Sequence, residues 1–176
     1  MAEFLSAQPY VIKNEGGYCE VPGDKGGETY SGIAHNYYPN WPGWPIIEGH
    51  KPLAYNEIIE DTELTSLVNQ FYKKQFWDTI LGDGIDSQAV ATYLYDFYVN
   101  AMHNAVKCTQ RIVGVTPDGS FGSGTLAALN AYKGDLLQEL HKARCDYYTA
   151  IAQNGSAKFL TGWLNRANDL YAKMAA

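Results

Sequence analysis

Glycines at positions 16, 17, 23, 26, 27 and 32 break the segment EGGYCEVPGDKGGETYSGI, residues 15–33, and forbid a regular helix across it. There the backbone turns tightly and takes positive φ at little steric cost. Before it, residues 2–15 carry Phe4, Leu5, Gln8, Val11 and Ile12 on one face at helical spacing, and Pro9 either bends that helix or marks a later start. The expected local shape is a helix end, a turn and a short β-hairpin. It sets one acid, Glu15, on a rigid helix terminus. A second acid, Asp24, lies nine positions later, and a hydroxyl, Thr29, five positions beyond that.

Two carboxyl groups held apart in this way suit glycoside hydrolysis. One must donate a proton to the leaving oxygen; the other acts as nucleophile or holds an attacking water. Glu15 follows apolar Val11 and Ile12, where partial burial would favour the protonated form, while Asp24 lies between Gly23 and Lys25 in a more polar setting. The same residues also fit a helix end and an Asx turn with no chemistry. Cys19 is a third candidate, as a nucleophile in an amidase or peptidase, but none of His35, His50, His103 and His141 is an obvious partner for it.

Further along, three prolines and two tryptophans fall within residues 39–45, which reads as a rigid loop. Trp41, Trp44, Tyr37 and Tyr38 either offer flat faces to a sugar or pack beneath the loop; the tyrosines are expected beneath it. Residues 62–80 read as a helix with Thr62 as N-cap and a stripe of Leu64, Leu67, Val68 and Phe71. Residues 87–101 read as a buried central helix, on which Asp96 and Asn100 either support the site or form a buried structural pair. Helices are expected over 104–113, over a short stretch after the turn at Asp118-Gly119, and over 135–153 and 157–174.

Residues 1–100 carry 5 Lys and Arg against 14 Asp and Glu, a balance of −9; residues 101–176 carry 8 against 5, a balance of +3. An acidic first half argues against nucleic acid as a partner. No apolar run approaches the roughly 20 residues of a membrane span. Cys19, Cys108 and Cys145 are odd in number and widely spaced, as free thiols in a reducing compartment would be. MAEFLSAQPY lacks the basic start and apolar core of a secretory signal, so synthesis in the cytoplasm is expected.

EGGY followed by D-x-G-G-x-T-x-x-G-I resembles the catalytic segment of glycoside hydrolase family 108, phage-type muramidases also known as secretion activator proteins. The spacing Glu-x8-Asp-x4-Thr is similar to the Glu-Asp-Thr triad of phage-type lysozymes. The resemblance implies Glu15 as general acid, Asp24 as the base that orients water, and Thr29 as its partner. Hairpin lengths vary, and Glu28 or Tyr30 is an alternative at the third position. A second match lies in the other half. Asp96, Val99, Asn100, Gln110, Asp118, Gly119, Gly122, Thr125 and Leu126 fit the pattern of the family's predicted peptidoglycan-binding region, and Lys158 to Asn168 resembles its closing helix. Ala101 and Met102 depart from the pattern where a small residue and glycine are expected.

The resemblance therefore implies a mainly α, lysozyme-like orthogonal helical fold with a small N-terminal β-hairpin. Residues 1–85 would form the catalytic segment and residues 86–176 the peptidoglycan-binding region, sharing one core. The implied activity is an inverting N-acetylmuramidase that needs no cofactor or metal, with Tyr30, Trp41, Trp44 and Asn100 binding the glycan strand. The partner would be peptidoglycan and the state a monomer without stable membrane insertion, acting on the wall in the periplasm after holin-type export. Chitin cleavage belongs to the same class, and a peptidoglycan-binding protein without catalysis, serving secretion or wall assembly, is the alternative.

Overall fold

Phe4, Ala7, Gln8 and Val11 are the buried face of the first helix, α1 (Phe4–Ile12), in the i, i+3, i+4, i+7 pattern of an amphipathic helix. Leu5, expected on that face, is 69% exposed. Pro9 is accommodated inside the helix. The helix stops three residues short of the expected end: the Asn14 and Glu15 N–H groups bond to the Val11 and Ile12 carbonyls at 3.0 Å each, the tight i→i−3 pattern of a closing turn. The computed structural model describes all residues except Pro22 and Asp24, and the side chain of Asn154.

The glycine-rich segment forms three short antiparallel strands, one more than a hairpin: β1 (Tyr18–Cys19), β2 (Thr29–Tyr30) and β3 (Ile33–Ala34). Tyr18 pairs with Tyr30 and Cys19 with Thr29; on the other edge Thr29 pairs with Ala34 and Tyr30 with Ile33. Ser31 and Gly32, at φ 47° and 75°, make the two-residue β2–β3 turn. Consecutive positive φ angles there match the twist of a tight hairpin.

The Pro/Trp-rich stretch contains a short helix where a loop was expected. α2 (Trp44–Gly49) holds Pro45 in its first turn, the one part of a helix where the missing N–H costs nothing. α3 (Thr62–Tyr72) begins one residue earlier than expected: Asp61 is the N-cap, its carboxylate accepting the Leu64 N–H at 2.7 Å, and Thr62 is already helical. Single turns of wider and tighter helix continue the chain to Ile80.

The chain divides into two compact units, residues 11–74 and residues 1–10 with 75–176. In the second, α4 (Gln88–Ala101) is capped by Ser87 and buried at every position from Val90 to Tyr98. Such a helix is a core element, packed here against α5 (His103–Val113), α7 (Leu136–Ile151) and α8 (Leu160–Met174). One carboxylate ties three of them together. Asp96 on α4, fully buried, accepts from Arg144 Nη2 of α7 at 2.6 Å and from Arg166 Nη2 of α8 at 2.8 Å. The Arg144 guanidinium also lies 5.3–5.4 Å from the ring centres of Tyr93, Phe97 and Tyr148. The expected pairing of Asp96 with Asn100 is replaced by these arginines, and Asn100 is exposed.

Four of the pattern residues, Gln110, Asp118, Gly119 and Thr125, form one hydrogen-bonded knot. Buried Gln110 of α5 donates to Asp118 Oδ1, the Ser120 carbonyl and Thr125 Oγ1 at 2.8, 3.0 and 3.3 Å, and accepts the Gly119 N–H at 2.9 Å. Gly119 takes φ 85°, and its turn leads into α6 (Ser123–Ala131). Asp118, held by these bonds, has its carboxyl lowered from the ordinary value by the Gln110 amide first and the Ser120 N–H next. Among the described residues no helix is long and apolar enough to cross a membrane.

Replacing Asp96 by Asn should remove the carboxylate that faces the fully buried Arg144 guanidinium. Breaking a buried pair in this way costs about 3–5 kcal/mol. At about 2–4 °C per kcal/mol for a chain of this size, thermal denaturation should show Tm lower by about 6–20 °C.

Candidate active site

The two glycines after Glu15 are required by what lies against them. Gly16 takes φ 75°, and a Cβ there would stand 2.7 Å from Asn56 Oδ1. A Cβ on Gly17 would stand 2.1 Å from the Glu57 carbonyl oxygen. Residues 54–57 therefore press backbone to backbone against the start of β1. The Tyr18 N–H donates to the Glu57 carbonyl at 2.8 Å, the Asn56 N–H to the Tyr18 carbonyl at 2.6 Å, and the Gly17 N–H to Asn56 Oδ1 at 2.8 Å. Glu15 is thus held between the turn closing α1 and a clasped strand.

Its half-buried side chain reaches the β2–β3 turn. A Cβ on Gly32, at φ 75°, would meet Tyr72 Oη at 2.8 Å and Glu15 Oε2 at 3.1 Å. The carboxyl and the phenol therefore converge on space that only glycine leaves open. The phenol is itself oriented, donating to the Ser31 carbonyl at 2.8 Å. Tyr72 and Asn56 are members of this site that sequence reasoning missed, and Gly32, read there only as a turn and motif glycine, is a third. Spacing signalled none of them, because Tyr72 and Asn56 lie some forty to sixty positions from Glu15.

Thr29 sits on the middle strand, and its hydroxyl donates to the Cys19 carbonyl at 3.4 Å. Asp24 lies outside the described residues. Tyr30 is 3% exposed, and its hydroxyl accepts the Ile59 N–H at 3.0 Å. Burial is the main cause of its raised pKa. Asn100 is exposed on α4, in the other compact unit.

The aromatic loop reverses the expected arrangement of its rings. Tyr37 is 66% exposed and Tyr38 is partly exposed, whereas Trp41 and Trp44 are buried. The tryptophans meet edge to face at 5.3 Å, Trp44 donates from Nε1 to the Tyr38 carbonyl at 2.8 Å, and His35 packs edge-on to Trp44 at 4.8 Å. The larger rings bury more apolar area, which favours them beneath the loop. Their remaining exposed edges line a cavity of about 360 Å³, with Glu28, His35, Asn40, Glu48 and three prolines.

An ionic cluster borders this cavity. Lys51 Nζ lies 2.8 Å from Glu28 and 2.7 Å from Glu48, and the Tyr18 hydroxyl is within 3.0 Å of Glu20 Oε2 and 3.1 Å of Glu28 Oε2. Burial alone would raise the Glu28 carboxyl, but the bonds from Lys51 and Tyr18 outweigh it and hold it below its ordinary value. Burial first, and the two carboxylates next, push the Tyr18 phenol up to about 12. The three cysteines are free thiols, and burial raises those of Cys108 and Cys145. Among the described residues no group of three or more His, Cys, Asp or Glu side chains gathers to hold a metal.

The glycosyl hydrolase 108 family model matches residues 8–101, and the chain belongs to that family. A second model, the "Predicted Peptidoglycan domain", matches residues 104–168. The protein is accordingly a peptidoglycan-related glycosidase acting at the cell wall. In three dimensions it is similar to the solved structure of Brucella abortus SagA, with 29% identity and a TM-score of 0.68 over 98% of this chain and 93% of that one. No curated protein matches the chain.

Substituting Gly32 by Ala should displace the Glu15 carboxyl or Tyr72 and strain the β2–β3 turn. We expect hydrolysis of purified peptidoglycan to fall at least about tenfold, a 1.4 kcal/mol effect. Gly122→Ala, at a position with open space and negative φ, should leave it unchanged.

The Lys51–Glu28 pair makes a separate prediction. Because the folded-state pKa of Glu28 is lowered, its stabilisation is present above the ordinary carboxylate pKa of about 4.3 and is lost as pH falls through the lowered value. The Tm difference between wild type and Lys51→Met should therefore be present at neutral pH and close as the solution is acidified. The pair is partly exposed, so the difference should be small and should shrink with added salt.

Proposed function

We propose that the protein is an N-acetylmuramidase cleaving the β-1,4 bond between N-acetylmuramic acid and N-acetylglucosamine, with inversion. The observation that carries this is the seat of Glu15: a carboxyl on a clasped helix end, aimed with the Tyr72 phenol at space kept open by Gly32. As general acid, Glu15 gives its proton to the glycosidic oxygen as the bond from that oxygen to the anomeric carbon breaks. Water attacks the anomeric carbon from the opposite face and passes its proton to Asp24, and the Thr29 hydroxyl helps to hold that water. The spacing Glu-x8-Asp-x4-Thr supports these two roles.

Trp41 and Trp44 bind the glycan strand through the edges they present to the 360 Å³ cavity, which has room for about one sugar ring. Tyr30 supports the sheet wall, and Asn100 contributes to strand binding. No cofactor enters, since the reaction consists of proton transfers and displacement by water. The enzyme acts as a monomer on the wall in the periplasm.

Release of reducing sugar from purified peptidoglycan tests this directly. Wild type should release it, and folded Glu15→Gln should lose at least about a hundredfold in rate. Proton NMR of the fresh product should show the α-anomer first. Equal activity in both proteins would remove Glu15 from the chemistry. A wild type that pellets with the wall but releases no reducing ends would be a binding protein instead.

A further inference from the structure

We propose that Tyr55 is a sugar-stacking residue of the same cleft, presented next to the acid by the clasp that holds Glu15; this extends, and rests on, the muramidase function proposed above. Tyr55 is 80% exposed, although the backbone on both sides of it is hydrogen-bonded. On one side, the Ala54 N–H donates to Glu57 Oε2 at 2.7 Å, and the Ala54 carbonyl accepts the Glu57 N–H at 3.1 Å. On the other, Asn56 is bonded to Tyr18 through its N–H and to Gly17 through its side chain. Three residues beyond Asn56, the Ile59 N–H is anchored on the Tyr30 hydroxyl.

Asn56 itself takes φ 63°, the left-handed turn conformation that asparagine tolerates. The bend is held against Gly16 and Gly17, the residues directly after Glu15. A single exposed tyrosine on a loose loop would need no explanation. Here the ring stands in solvent on a locked backbone, one residue from the group that touches Gly16.

An aromatic ring so placed offers a large flat apolar area with few internal rotations to lose, and the backbone ordering is complete before the ligand arrives. The ligand it fits is the C–H face of a pyranose in the glycan strand. The stem peptide fits less well, because it carries carboxylates, while this part of the chain is strongly acidic and Glu57 and Glu60 flank the platform.

The test uses the full chain and two probes: intact purified peptidoglycan, and glycan strands stripped of their peptides by an amidase. Tyr55→Ala should bind both probes about three- to tenfold more weakly than wild type, with unchanged Tm, while Tyr55→Phe keeps wild-type affinity. On intact wall the loss should appear in KM and leave kcat near wild type. Wild-type binding of stripped strands by Tyr55→Ala would overturn the proposal. So would a loss confined to intact peptidoglycan, because the ring would then be reading the stem peptide. Failure of the muramidase function looks different: wild type would bind the strands and release no reducing ends, and the effect of Tyr55→Ala on binding would still be read.

Discussion

One buried carboxylate organises the larger compact unit. Asp96 comes from α4, within the segment matched by the glycosyl hydrolase model, while its two partners, Arg144 and Arg166, come from helices within the peptidoglycan-domain segment. Removing charges from water is costly, and the cost is offset only when geometry and hydrogen bonding are complete. Here the carboxylate takes bonds from both guanidiniums, and three aromatic rings surround the more buried of them. Apolar contacts alone would let helices slide by a turn with little penalty. An ion triad tolerates no such slip, so it sets the register of α4 against α7 and α8 as well as holding them. The ion triad of this unit therefore draws its carboxylate from one family segment and its guanidiniums from the other.

The N-terminal unit solves a different problem with missing atoms. Backbone must lie on backbone where Gly17 meets Glu57, and two side chains must converge above Gly32. Both contacts need a residue without a Cβ. The outcome is a carboxyl whose position depends on the close of α1, the 54–57 turn and the β2–β3 turn together. Such over-determination suits a proton donor, because a small displacement of an acid from its substrate oxygen removes much of its catalytic value. The Lys51 network pairs the charges of Glu28 and Glu48, which line the same cavity as Trp41 and Trp44.

Much of this was legible in the chain. The turn and sheet, the buried α4, the Gly114 stop of α5 and the Asp118-Gly119 turn follow from periodicity and glycine placement, and the structure contains them. Errors came where neighbours decided between equal local choices. Leu5 and Ala7 suit a helical stripe equally by spacing, and packing buried Ala7. Trp41 and Trp44 went beneath the loop and Tyr37 outside it, because the available space favoured the rings with more apolar area. Asp61 and Thr62 are both good caps, and the extended backbone at Asp61 (φ −134°, ψ 124°) selected it.

By itself the sequence determined most element types, the glycine-dependent turns and a carboxyl close after the first helix, because these depend on local backbone sterics and on spacing along the chain. It also carried the likeness to glycosyl hydrolase 108 in both halves. Only the tertiary structure decided what surrounds those groups: Tyr72 beside Glu15, Asn56 against the glycines, Arg144 and Arg166 on Asp96, and Gln110 at the centre of the C-terminal knot. The reason is physical. A hydrogen bond, an ion pair or the absence of a Cβ acts over a few ångströms of space, and residues that meet at that range are here separated by as many as 87 positions of chain.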